Sequence, residues 1–247
     1  MFSYSQAAFD YEPYPICRLE GVLPEADYDA LARTYPAVAL FDHKPSLGDK
    51  YSLSERNNRD NYLRFLDTAP EWARVHAYIK SRKFIDDTLG FLKQRNVDLN
   101  LGDYAVRMAS RKMKPSLAAR LLRRNELTAR FEFSIMGGNG GHIRPHTDEQ
   151  QKLVTLVISM IRAGEWDDAW GGGTQVCQPK DKTLIFNRAN RYLDFDAVDI
   201  VRSYDFRPNQ CILFIKTYNS WHQVAPINAP PDAPMRKTLT INIERLT

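Results

Sequence analysis

From Ala129 onward the sequence breaks into short apolar runs separated by glycine, proline, asparagine and aspartate, and few folds accept that pattern. ARFEFSIM (Ala129–Met136) alternates, with Phe131, Phe133 and Ile135 on one face. Further runs follow at KLVTLVISM (152–160), TQVCQ (174–178), KTLIFN (182–187), AVDIVRSYDF (197–206), CILFI (211–215), SWHQVAP (220–226) and KTLTINIE (237–244). Eight short strands bounded by turn residues predict a mainly β unit, a sandwich or a jelly-roll barrel.

Before residue 128 the pattern is mostly helical. PEADYDALARTYP (Pro24–Pro36) opens with proline and acids, repeats apolar residues at helical spacing and stops at a proline. Ala69–Asn96 reads as one long helix or two short ones, with Trp72, Val75, Ile79, Phe84 and Leu89 on its apolar face. Between these, His43–Asn61 is polar and irregular and reads as a long loop. The expectation is a single domain, 1–247. A helical and loop part, 1–128, packs on the outside of a barrel core, 129–247.

A length of 247 residues suffices for a sizeable core, and 43% hydrophobic with 26% charged residues is an ordinary globular composition. No apolar run reaches membrane-span length, and the first residues lack a basic flank with an apolar core. Cys17, Cys177 and Cys211 are scattered and form neither a zinc pattern nor a disulfide framework. A cytoplasmic protein is expected, with no membrane partner. The net charge of +4 is modest. Its densest source, Arg111–Arg124, reads as a solvated basic helix face rather than a nucleic-acid surface.

The chain holds five histidines, and two of them, His142 and His146, fall in GGHIRPHTDEQ (Gly140–Gln150) with Asp148. In an extended segment a two-residue spacing puts His146 and Asp148 on one side. Imidazole and carboxylate together suit iron, manganese or zinc. A third ligand must come from elsewhere, and His222, in NSWHQV on a predicted strand, is the natural candidate. Two histidines and a carboxylate on one face of a metal make the facial triad of non-haem iron oxygenases. Arg236 follows His222 by 14 residues at the start of the last strand. A guanidinium there suits a cosubstrate with a carboxylate at its far end.

In order and spacing, PHTD, WGGGTQV, CILFIKTYNSWHQV and MRKTLTINI resemble the Fe(II)- and 2-oxoglutarate-dependent oxygenases, and within them the prolyl-4-hydroxylase-like group. The resemblance covers Ala129–Glu244, with a looser likeness of Tyr14–Pro36 to the family's entry strand and helix. It implies a double-stranded β-helix (jelly-roll) barrel flanked by helices. It also implies that His146, Asp148 and His222 bind Fe(II), that Arg236 holds the C5 carboxylate of 2-oxoglutarate and that Thr238 assists. There are departures. The tyrosines common in prolyl hydroxylases are replaced by Met136 and Ile143. Asn242 stands where the nucleic-acid demethylases carry a second arginine. Asp148 is present where halogenases lose it, which favours hydroxylation.

The activity implied is hydroxylation of an unactivated C–H bond with Fe(II), 2-oxoglutarate and O2, releasing succinate and CO2. A small-molecule substrate is expected (an amino-acid derivative, saccharide or natural product), and no nucleic acid. The alternatives are a prolyl-type hydroxylase acting on a protein and a non-redox, metal-binding cupin-like barrel. Candidate substrate-facing residues are His142, Arg144, Trp170, Tyr218 and Trp221. His142, outside the triad, could instead cap the glycine-rich turn. A lid is expected from the polar loop and the basic helix, with Arg56, Asn57, Asn58 and Arg59 as donors. His43 and His76 read as structural. Substrate identity and oligomeric state are not legible in the sequence.

Overall fold

A computed structural model describes residues 2–108, 114–118 and 125–246. Most of the basic stretch Arg111–Arg124 therefore lies outside the described residues, and with it the expected basic helix face. The elements begin with a hairpin, β1 (Ala7–Asp10) and β2 (Ile16–Glu20), then α1 (Glu25–Arg33). A second hairpin, β3 (Asp42–Lys44) and β4 (Lys50–Ser54), precedes α2 (Arg59–Thr68), α3 (Pro70–Ile79), α4 (Arg82–Gln94) and β5 (Tyr104–Val106). Then come β6 (Asn125–Met136), β7 (Ile143–His146), β8 (Lys152–Ser159), β9 (Thr174–Pro179), β10 (Val198–Tyr204), β11 (Gln210–Ile215), β12 (His222–Val224) and β13 (Arg236–Arg245).

The strands form two sheets. The larger runs β1-β2-β11-β8-β13-β6-β4-β3, with β5 parallel to β6. The smaller runs β10-β9-β12-β7 and is antiparallel. Strand alternation in the large sheet separates two environments. Phe131, Phe133 and Ile135 of β6, with Leu156, Ile158, Leu239 and Ile241, share one apolar core with Trp72, Phe84 and Leu92 of the helices. The Trp72 ring meets Phe133 edge to face at 4.7 Å, a geometry that adds to simple area burial. The opposite face carries Arg130, Glu132, Ser134, Thr155, Thr238 and Thr240, which line a cavity between the sheets. The apolar face of this sheet thus meets the helices, and its polar face meets the site. Tyr14, Ile16, Val176, Tyr204, Ile212 and Phe214 join the two sheets in a separate apolar cluster.

Of the two readings of Ala69–Asn96, the structure has two helices, because the chain turns at Lys80 and the Ser81 hydroxyl caps α4 by accepting from Phe84 N at 3.3 Å. Two expectations need correction. KTLIFN is not a strand. Asp181 accepts from Thr183 N and closes a short 3-10 turn, and Phe186 is left 72% exposed. His43–Asn61 is not an irregular loop, since β4 pairs with β6 over Lys50–Ser54 and extends the large sheet. The turn of that hairpin needs Gly48, at φ +75°, where a Cβ would lie 1.9 Å from the His142 carbonyl oxygen.

Candidate metal and cosubstrate site

Strands β7 and β12 are neighbours in the small sheet, with His146 paired directly to His222. Their rings come within 4.3 Å, centroid to centroid. Asp148 lies two residues past His146 at φ +71°, a left-handed conformation that aspartate tolerates better than most residues. One ligand atom from each of the three lies within 4.8 Å of the others, and all three residues are buried.

The tautomers follow from the backbone. His146 Nδ1 lies 2.9 Å from Arg144 O, and His222 Nδ1 lies 2.9 Å from Ser220 O. A carbonyl only accepts, so each Nδ1 donates and each Nε2 keeps a free lone pair. Those Nε2 atoms stand 3.5 and 3.9 Å from the Asp148 oxygens. Burial, reinforced by the adjacent His146, pushes His222 down to about 3, so it is neutral at pH 7. Burial alone would raise Asp148, but the Lys152 ammonium beside it outweighs burial and holds the carboxyl well below its usual range. Two imidazole nitrogens and an ionised carboxylate suit a divalent transition metal. Outer partners fix this geometry. Thr155 Oγ1 lies 3.2 Å from Asp148 Oδ2, Tyr192 stacks on His146 at 5.1 Å, and Phe214 lies 4.4 Å from His222.

Arg236 opens β13 and lines the same cavity, 3% exposed. Its Nε donates to Gly172 O, and its Cζ sits 4.5 Å over the Phe206 ring. Among the described residues no carboxylate pairs with it, and burial pushes its pKa down to about 9. A buried guanidinium without a counter-charge is costly unless an anion completes the site. The WGGGTQV motif makes room for it. Gly172 sits at φ +82°, and a Cβ there would come 3.3 Å from Arg236 Cδ. A Cβ on Gly173 would meet Tyr204 O at 1.8 Å. Thr238, two residues along the same strand face, is buried and also lines the cavity.

The cavity encloses about 270 Å³, at the small end for ligand sites. Of the candidates named from sequence, His142 and Arg144 reach it. His142 Nδ1 also bonds Gly140 O at 2.8 Å, so it holds the glycine-rich turn as well. Trp170, Tyr218 and Trp221 are not on the wall. Trp170 packs on Trp166 beside Met136 and Val224. Tyr218 is 45% exposed beneath the Lys216 and Arg188 cations. Trp221 is in the core, its indole donating to Ile185 O at 2.8 Å. Of the proposed lid donors, Arg56 is instead tied to Glu244 at 2.7 Å. Asn58 donates to Leu40 O at 2.8 Å. Lys152, Thr155, Tyr192, Arg130 and Glu132 are wall residues that sequence reasoning missed.

No helix among the described residues is long and apolar enough to cross a membrane. A search of curated proteins gave no match. Among solved structures, the chain is similar to a Pseudomonas putida prolyl-4-hydroxylase at 15% identity, TM-score 0.46, covering 93% of this chain and 91% of that one. It is also similar to the Trichoplax adhaerens prolyl hydroxylase in complex with a hypoxia inducible factor oxygen degradation domain peptide fragment. There the identity is 11% and the TM-score 0.47, over 93% of this chain and 83% of that one. A third likeness is to EvdO2 from Micromonospora carbonacea var. aurantiaca, at 14% identity and TM-score 0.46, covering 93% and 86%. Such distant likenesses carry no weight for substrate. Residues 131–244 match the model of the 2OG-Fe(II) oxygenase superfamily. That matched region holds the His-Asp-His cluster, and it marks the protein as a 2-oxoglutarate-dependent dioxygenase with Fe(II), 2-oxoglutarate and O2 as cofactors.

Proposed function

We propose that the protein hydroxylates an unactivated C–H bond of a small molecule such as an amino-acid derivative, saccharide or natural product. The observation that carries this reading is the shared cavity, which sets three converging ligand atoms and one unpaired buried guanidinium on the same walls. His146, Asp148 and His222 would hold Fe(II), and the donor set fits it, with two free Nε2 lone pairs and an ionised carboxylate. Bound there, the metal supplies O2 activation that couples decarboxylation of 2-oxoglutarate to succinate with C–H hydroxylation. Arg236 would take the far carboxylate of 2-oxoglutarate bidentately, with the Thr238 hydroxyl beside it. The two sheets act as the facing walls of a jelly roll. The helices share one core with the large sheet, which favours a single folding unit over 1–247. Phe214 and its apolar cluster keep one end of the site dry, which limits turnover without substrate. The test is conversion of 2-oxoglutarate to succinate by purified protein. Conversion that needs both Fe(II) and O2 is expected. Its absence with every substrate class tried would overturn the proposal.

A further inference from the structure

Five cationic side chains line the cavity, Lys50, Arg130, Arg144, Lys152 and Arg236, against two carboxylates, Glu132 and Asp148. Fe(II) and the 2-oxoglutarate dianion bring equal and opposite charges. The loaded site therefore keeps a positive excess. Most of the cations have a partner. Lys50 bonds Glu132 at 2.8 Å, Lys152 bonds Asp148, and Arg144 lies 3.4 Å from Asp194. Arg236 is reserved for the cosubstrate. Arg130 is the least firmly held. Its Nε forms an ion pair with Glu244 Oε1 at 3.3 Å, yet among the described residues neither atom makes a hydrogen bond, and the other Glu244 oxygen is held by Arg56 at 2.7 Å. Glu132, which feels the Arg130 charge, is hydrogen-bonded by Lys50 instead.

Arg130 also sits at a useful distance from the chemistry. It pairs across the sheet with Asn242, which pairs with Thr155, whose hydroxyl lies 3.2 Å from Asp148. Two strand spacings, roughly 10 Å, separate the Arg130 backbone from that of Thr155.

We propose that Arg130 anchors an oxyanion on the substrate, a carboxylate or a phosphate monoester. The substrate is then a small anion whose charged group lies one short carbon skeleton from the C–H bond attacked. A planar guanidinium with free donors suits bidentate capture of either group. This inference rests on the oxygenase reading above.

The test is calorimetric titration of the anaerobic protein, loaded with Fe(II) and saturating 2-oxoglutarate. The probes are pentanoate, butyl phosphate and the neutral pentanamide. One of the two anions should bind about 10- to 100-fold tighter than the amide, the range expected for hydrogen bonds to a charged group. Which anion it is distinguishes carboxylate from phosphate. Arg130→Gln should abolish the preference and leave 2-oxoglutarate affinity unchanged, and Arg130→Lys, which keeps the charge, should retain part of it. Equal binding of amide and anions by the wild type overturns the proposal, as does an undiminished preference in Arg130→Gln. A selective loss of 2-oxoglutarate affinity in that variant also overturns it, by making Arg130 a cosubstrate anchor. If the wild type binds no 2-oxoglutarate at all, the oxygenase reading falls first and this one with it.

Discussion

Arg236→Met should leave the free protein no less stable and shrink the stabilisation that cosubstrate adds. In the free protein Arg236 is 3% exposed and has one backbone acceptor and one aromatic face as partners. Replacing a buried charge by an apolar side chain of similar length is commonly neutral or stabilising, by about 1–4 kcal/mol. The free variant should therefore unfold at the same temperature as the wild type or higher. The stabilisation added by 2-oxoglutarate should shrink. At 100 times its Kd a ligand adds about 2.7 kcal/mol, roughly 5–10 °C for a chain of this size. Removing the guanidinium should cost about 2–5 kcal/mol of binding, at least 30-fold in affinity. The same cosubstrate concentration would then add about 0.9 kcal/mol or less. The assay is thermal unfolding of anaerobic, Fe(II)-loaded protein with and without 2-oxoglutarate. A variant that is less stable when free, yet keeps the full cosubstrate shift, would refute the reasoning. Arg236 would then be structural, and another residue would hold the carboxylate.

Other outcomes test other parts of the molecule. Asp148→Ala should abolish 2-oxoglutarate turnover while far-ultraviolet circular dichroism stays unchanged, and normal turnover would remove Asp148 from the metal site. Phe133→Ala, at the edge-to-face contact with Trp72, should cost about 3–5 kcal/mol in denaturant unfolding. A loss near zero would mean that the helices do not depend on that face of the sheet. Glu132 gives a pH signature. Burial would raise its pKa, but Lys50 and Arg130 outweigh it and hold it near about 2. A carboxylate depressed in the folded state stabilises above its ordinary pKa, and that contribution is lost as pH falls through the folded value. Glu132→Gln should thus flatten the loss of stability between roughly pH 5 and 2, on the order of 3 kcal/mol. Parallel acid-unfolding curves for the two proteins would contradict the pairing.

Strands β6 and β13 were legible from apolar alternation and β8 and β11 from near-continuous apolar runs, and the helices meet one face of each. Strand β7 carries none. IRPH is extended because it pairs with β12, and nothing local says so. The β3–β4 hairpin hid for a related reason. The inward positions of its second strand, Lys50, Ser52 and Ser54, face a polar interior, so KYSLS looks like a loop. KTLIFN misled in the other direction, since its apolar run follows a capped turn and Phe186 points to solvent. The triad and Arg236 could be read from residue type and spacing alone. Arg130, Glu132 and Lys152 could not. Charged residues alternating with apolar ones ordinarily mark a solvated face, and here that face lines the cavity.

His146, Asp148, His222 and Arg236 should form one site for Fe(II) and 2-oxoglutarate. Anaerobic titration of the apoprotein with both, followed by the visible metal-to-ligand charge-transfer band, tests it most directly. The band should appear in the wild type and vanish in His146→Ala and Arg236→Ala. Fe(II) binding without the band, or an undiminished band in either variant, would contradict the assignment.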